Sequence, residues 1–149
     1  MMNFQNAVKT CLKKKYGNFS GRASRSEFWF FYLFLIIGYV VSFLFITISL
    51  KFFIIVFSIF ALGMIIPSLA VTVRRLHDIN KSGWFILLPL PFDLMERLLE
   101  RSSGEVTGFS LLFTVIALGL YIYLLVLYCK DGDKKNNRFG KNIYNRKRK

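Results

Sequence analysis

The sequence predicts an all-α, polytopic membrane protein: a four-helix transmembrane bundle with a short, irregular third helix, preceded by an N-terminal amphipathic helix at the membrane interface. Three observations predict it. Of the 149 residues, 54% are hydrophobic and 17 are Phe, more apolar surface than a soluble domain of this length readily buries. The net charge is nevertheless +13, and the charges fall in blocks between long apolar runs. Three of those runs, residues 28–50, 52–73 and 106–129, contain no charged residue at all. A hydrocarbon core about 30 Å thick takes ~20 helical residues, so each run is long enough to span it. In lipid the backbone must satisfy itself within the segment, which makes each run a helix.

In residues 2–16, "MNFQNAVKTCLKKKY", Phe4, Ala7, Val8, Cys11 and Leu12 fall at helical spacing, with Lys9 and Lys13 to Lys15 mostly on the other face. This pattern reads either as a short helix lying on the inner leaflet or as a solvated basic leader. Residues 1–27 together form this cytoplasmic segment. Ser24 and Glu27 have capping-box spacing at the entry to the first membrane helix. That helix is no cleavable signal, because it is too long, begins after 27 residues and has no small-residue cleavage site behind it.

The first two spans, 28–50 and 52–73, are separated by little more than Lys51, which forces a tight antiparallel hairpin. Pro67 is expected to bend the second span. Gly38 and Ser42 form a small-xxx-small pair that reads as ordinary helix packing.

Residues 84–99, "WFILLPLPFDLMERLL", are apolar only in their first nine positions, and counting charges decides their role. If they cross, the inside segments 1–27, 74–83 and 130–149 hold six, three and nine Lys/Arg, against only Lys51, Arg97 and Arg101 outside. That is the asymmetry the positive-inside rule demands. If they do not cross, the nine cations of the tail would have to be translocated. The expectation is therefore four crossings over 28–129, with helices near 28–50, 52–73, 84–99 and 106–129 and both termini cytoplasmic. Pro89 and Pro91 each remove a backbone donor and make the third helix irregular, with Asp93, Glu96 and Arg97 at its outer end. Trp29 and Trp84 each open a helix after a cytoplasmic segment and fall in one interfacial belt. Cys11 and Cys129 lie on the reducing side, where no disulfide is expected, and with the single His they make no zinc spacing. Residues 130–149 are too polar and basic for a core and read as a flexible cytoplasmic tail that touches anionic lipid.

Three stretches, "YGNFSGRASRSEFWFF", "RRLHDINKSGW" and "NNRFG", resemble the three signatures of the bacterial family called domain of unknown function 805. The resemblance runs from Tyr16 to Gly140 and implies a small multi-pass protein of the bacterial inner membrane. It implies no activity, since the family has none established. Residues 91–105 are longer and more charged than the family pattern, and no proline follows Gly140.

The loop "VRRLHDINKSGWF" admits two readings. In the functional one, Asp78 orients His77 or raises its pKa, and Arg74 and Arg75 bind a phosphate or lipid head group. Yet Ser82, the nearest hydroxyl, stands five residues from His77, and the loop has no second carboxylate for acid–base work. In the structural reading, Arg74 and Arg75 close a helix C-terminus, Asp78 compensates Arg22, Arg25 or Arg138, and Asn80 to Gly83 turn the chain. The structural reading is preferred. It predicts a charged clasp in which Arg22, Arg25 and Glu27 face Arg75, His77 and Asp78, with Asn137 and Arg138 completing it. No catalytic residue, metal or cofactor is assigned.

The leading functional reading is a non-enzymatic membrane protein acting through contacts with anionic lipid, or with a protein partner or second copy. Alternatives are a small transporter or channel, for which Asp93 is the candidate, and a membrane enzyme acting on a lipid phosphate. Nucleic-acid binding by "NRKRK" is not expected, because membrane orientation already accounts for the positive charge.

Overall fold

A computed structural model describes residues 2–144; Met1 and the terminal "NRKRK" of the tail lie outside the described residues. Within them the chain is helical, with one isolated bridge between Asn137 and Gly140 and no strand. Three helices are long and apolar enough to cross a membrane, and only 17–22% of their apolar windows is buried inside the chain. Most of each span is thus left for lipid or other protein to cover.

The first helix, α1 (Phe4–Lys9), is capped by Asn3, whose side chain accepts from the Asn6 N–H at 2.9 Å. It continues as a π-helical turn, Thr10–Lys14. Ala7 and Cys11 are fully buried while Lys9, Lys13 and Lys14 are exposed. The amphipathic pattern is real, but its apolar stripe rests on protein: Cys11 packs in one cluster with Phe28, Phe31 and Val71, and Phe4 meets Phe30 edge-on.

Helix α2 (Arg25–Leu44) starts three residues earlier than the uncharged run. Ser24 accepts from the Glu27 N–H at 3.2 Å, but the Glu27 carboxylate does not complete a box, because it is taken by Arg74. A 3-10 turn, Phe45–Thr47, leads into α3 (Leu50–Asp78). The two form a hairpin stitched by rings: Phe43 on Phe53, Tyr39 on Phe57 and Phe34 on Phe60. Gly38 is small because the Phe60 ring occupies the place a Cβ would take.

Helix α3 runs five residues past the uncharged run, to Asp78. At ~1.5 Å per residue its 29 residues reach about 43 Å, more than the hydrocarbon core needs. Its end is a Schellman motif. Asn80 adopts φ 58°, and Lys81 and Asn80 return their N–H groups to Leu76 (2.9 Å) and His77 (3.1 Å). Inside α3, Pro67 lacks the N–H that would reach the Gly63 carbonyl, and the Tyr16 hydroxyl donates to that carbonyl instead, at 2.6 Å.

The third predicted helix is corrected in extent. Residues Gly83–Leu87 are a 3-10 turn and α4 covers Leu90–Ser103. Pro89 and Pro91 fix the boundary, since both fit only where the missing N–H has no helical partner. α4 is too short and too polar to count among the three apolar spans. Its position also differs from expectation. α5 (Gly108–Cys129), capped by Thr107 and Ser110, runs antiparallel beside it. Tyr121 donates to Asp93 at 2.5 Å and Thr114 to Glu96 at 2.7 Å. Asp93 therefore faces α5 just past its middle and Glu96 faces its first third.

The C-terminal ends of α3 and α5 meet, with Leu76 and Ile79 packed on Leu124 and Leu127. The N-terminal end of α2 joins them, Phe28 lying 4.9 Å from Tyr128. Three helix ends, the N-terminal helix and the C-terminal segment thus gather at one end of the molecule. Residues 131–144 are anchored there, unlike the flexible tail the sequence suggests.

Candidate functional site

The gathered end is built on two consecutive arginines. Neighbours on a helix point about 100° apart, so Arg74 and Arg75 leave α3 toward different partners. Arg74 turns to the N-terminal elements. It donates to Glu27 at 2.5 Å and to the Ala70 carbonyl at 3.2 Å, and stands 3.9 Å from the Cys11 sulfur. Arg75 turns to α5. It donates to Asp78 at 2.7 Å, to the Tyr128 carbonyl at 3.1 Å and to the Lys130 carbonyl.

Asp78, fully buried, is the hub. Arg22 donates to its other oxygen at 2.8 Å, and the Tyr144 hydroxyl adds a third donor. Arg22 arrives on the loop before α2, which turns at Gly21 (φ 85°) and is pinned by the Ala23 N–H on the Arg74 carbonyl at 2.9 Å. Its remaining donors reach the Lys135 carbonyl at 2.8 Å and the Asp133 carbonyl. Arg22, Arg74, Arg75, Glu27 and Asp78 are all buried, and all are paired. Such pairing is what makes buried charge tolerable, because a lone ion in this setting is strongly disfavoured. Among the described residues no buried side-chain donor or acceptor lacks a partner, and no group of His, Cys, Asp and Glu has the makings of a metal site.

Around this core lies a second ring. Asn137 donates to the His77 carbonyl at 2.9 Å. The His77 ring stacks on Phe139 at 3.8 Å, and Arg138 lies 4.7 Å over the other partner in that stack, the Phe139 ring. His77 Nδ1 is 3.2 Å from the Gly21 carbonyl, which only accepts, so Nδ1 carries the proton. Arg25 pairs with Asp131 at 2.5 Å in an exposed bridge. Of the predicted clasp, Arg22, Arg75, His77, Asp78, Asn137 and Arg138 come within one connected network, whereas Glu27 pairs with Arg74 and Arg25 with Asp131, apart from Asp78.

Residues 16–141 match the family described as Protein of unknown function (DUF805). This chain belongs to that family. DUF805 relatives include the inner membrane protein YhaI of Escherichia coli strain K12 and its counterpart in strain O157:H7. Each is 30% identical over 129 residues, covering 85% of this chain and 86% of the relative. No solved structure matches. The relatives' description and the three apolar helices agree on a helical membrane protein of the bacterial inner-membrane type.

Several participants in this DUF805 chain escaped the sequence reading. Gly132 is one: a Cβ there would collide with the Asp78 carboxylate and the Tyr144 hydroxyl. Asp133 is another, its N–H bonding the Asp78 carbonyl at 2.8 Å. "KDGDKK" looks like any solvated turn, and only the flanking acids around a single glycine hint at a tight seat. Tyr144 gave no signal, and Cys11 showed only as one of the apolar stripe of residues 2–16, with nothing to mark Arg74 as its neighbour. Burial first, and the Asp78 hydrogen bond and charge after it, push the Tyr144 phenol up to about 12. Burial, then the Glu27 charge, push the Cys11 thiol up to about 11.

Two shallow cavities flank the network. One, about 340 Å³, is lined by Phe19, Leu69, Val73, His77, Ser82 and Trp84. The other, about 360 Å³, is lined by Arg25, Ser26, Trp29, Phe30 and Cys129.

Proposed function

We propose that this chain is a non-enzymatic, four-pass protein of the bacterial inner membrane, with both termini cytoplasmic, that works by holding anionic lipid at its cationic inner end. The observation that carries this reading is the division of its positive charge. The buried arginines spend their donors inside the chain, which suits a scaffold. The cations left facing outward, among them Lys9, Lys13, Lys14, Lys130, Lys134 and Lys135, surround that scaffold. Each cation near an anionic surface is worth about 1 kcal/mol. The cavity between Arg25 and Trp29 has the amphipathic lining a head group and its first methylenes need.

The threading has its own support. The C-termini of α3 and α5 meet at one end, so residues 79–107 have to cover the length of α5. A five-residue 3-10 turn and a 14-residue α-helix cover about 31 Å together. The excess of Lys and Arg in 1–27, 74–83 and 130–149 favours the cytoplasm for that end.

The test uses the two Trp residues. With Trp84→Phe, Trp29 is the single reporter, and it is quenched by brominated lipid in reconstituted vesicles. Brominated phosphatidylglycerol should quench more than brominated phosphatidylcholine at equal fraction, and Arg25→Gln should narrow the difference. Equal quenching by the two lipids would remove the reading. A second reading, a small transporter, is favoured by Asp93, which meets Tyr121 near the middle of α5. Solute flux in liposomes that disappears in Asp93→Asn would select it.

A further inference from the structure

Five charged side chains, Asp93, Glu96, Arg97, Glu100 and Arg101, stand on the 14 residues of α4. One oxygen each of Asp93 and Glu96 is used by Tyr121 and Thr114 of α5. Arg97 and Arg101 are exposed, Glu100 is half-exposed, and among the described residues neither arginine forms an ion pair. On the four-crossing reading, on which this inference rests, α4 lies in the outer part of the bilayer. Charged side chains at that depth face protein or water and pair with one another.

The order of these charges is self-complementary. Glu96-Arg97-Leu98-Leu99-Glu100-Arg101 repeats Glu-Arg at a spacing of four. Glu96 and Glu100 form one stripe, and Arg97 and Arg101 form the next, about 100° round the helix. A two-fold axis along the membrane normal sets two copies of α4 side by side, running the same way, with equal residues at equal height. It also reverses the order of the stripes across the contact. The glutamate stripe of each copy then faces the arginine stripe of the other, on both flanks. An anionic lipid would answer the arginines and leave the glutamates, whereas the same stripe on a second copy answers both signs. We propose that two copies of this chain associate through α4, Glu96 and Glu100 of each pairing with the partner's Arg97 and the partner's Arg101, in the isologous contact typical of two-fold dimers.

The test labels the exposed Cys129 with donor or acceptor dye and mixes the copies in phosphatidylcholine–phosphatidylglycerol vesicles. Energy transfer above that of randomly placed copies is expected for the natural chain. The double reversal Arg97→Glu with Arg101→Glu should abolish the excess. Reversing all four, with Glu96→Arg and Glu100→Arg added, should restore it, because the swapped stripes are again complementary. Loss of transfer through misfolding of the double variant would not be regained in this way. No excess transfer in the natural chain, transfer indifferent to the reversal, or failure of the fourfold swap would each overturn the proposal. Threading is read separately: Ser102→Cys in intact cells should react with an impermeant maleimide. Its protection would sink the four-crossing reading, whatever the transfer result.

Discussion

Asp78 holds the densest set of interactions in the molecule, with Arg22, Arg75 and Tyr144 all donating to its carboxylate. Asp78→Ala leaves two buried guanidiniums without their counter-ion and should destabilise the protein by about 3–5 kcal/mol, read as a fall in the thermal unfolding midpoint in detergent. Replacing Arg22, Arg75 and Asp78 together by apolar residues should be milder, because no buried charge is then orphaned. A triple variant as unstable as the single one would show that the network contributes something beyond mutual neutralisation. Cys11 gives a pH-dependent prediction. Its ordinary pKa of 9.0 is pushed up to about 11 by burial, so the folded state holds its proton where the unfolded state does not. The corresponding stability is complete below pH 9 and is lost as the pH rises toward 11. The drop in unfolding midpoint across that window should be smaller in Cys11→Ala. At pH 8 a thiol reagent should modify exposed Cys129 and spare Cys11. Equal modification of both would contradict the burial. The meeting of Arg22, Arg75 and Asp78 was legible because charges of opposite sign in the few polar segments between long apolar runs have few other partners, whereas Glu27 took Arg74 in place of the expected Arg75. Tyr144 and Gly132 were not legible, since their roles depend on where the chain returns, and no local pattern encodes that.

At the scale of elements, the three apolar spans were readable from the absence of charge, while their ends were not. α3 passes its last uncharged residue by five because Arg74, Arg75 and Asp78 are paired within protein, so the helix need not stop where hydrophobicity does. α4 starts six residues after Trp84 because Pro89 and Pro91 decide where an α-helix can begin. Proline also joins the N-terminal segment to α3. The carbonyl of Gly63, orphaned by Pro67, accepts the Tyr16 hydroxyl at 2.6 Å, and an unsatisfied carbonyl away from water costs about 1–3 kcal/mol. Tyr16→Phe should therefore destabilise by that order. In a Pro67→Ala background, where residue 67 regains its N–H, the same change should do much less. The double-mutant cycle measures the coupling. Additivity of the two changes would mean that Tyr16 acts by its ring alone.

At the scale of the whole molecule, contacts between sequence-distant segments are concentrated at one end. Arg22 binds the Lys135 carbonyl, 113 positions away, and Tyr144 reaches Asp78 over 66. The N-terminal loop, the end of α3 and the segment after α5 therefore close as a unit, and the set of partners is complete only when the last helix is in place. Truncation after Lys130 removes the Asp133 N–H from the Asp78 carbonyl, Asn137 from the His77 carbonyl and two carbonyl acceptors from Arg22. The loss should appear far from the cut. Hydrogen exchange at Ala23, whose N–H is held by the Arg74 carbonyl at 2.9 Å, should accelerate, because local opening follows the weakest contacts of a cooperative unit. Exchange along the ring-stitched α2–α3 hairpin should stay near its natural rate, since Phe43–Phe53 and Tyr39–Phe57 do not involve the removed residues. Uniform acceleration throughout would mean that the C-terminal segment supports the whole bundle, and unchanged exchange at Ala23 would mean that the loop is held by α3 alone.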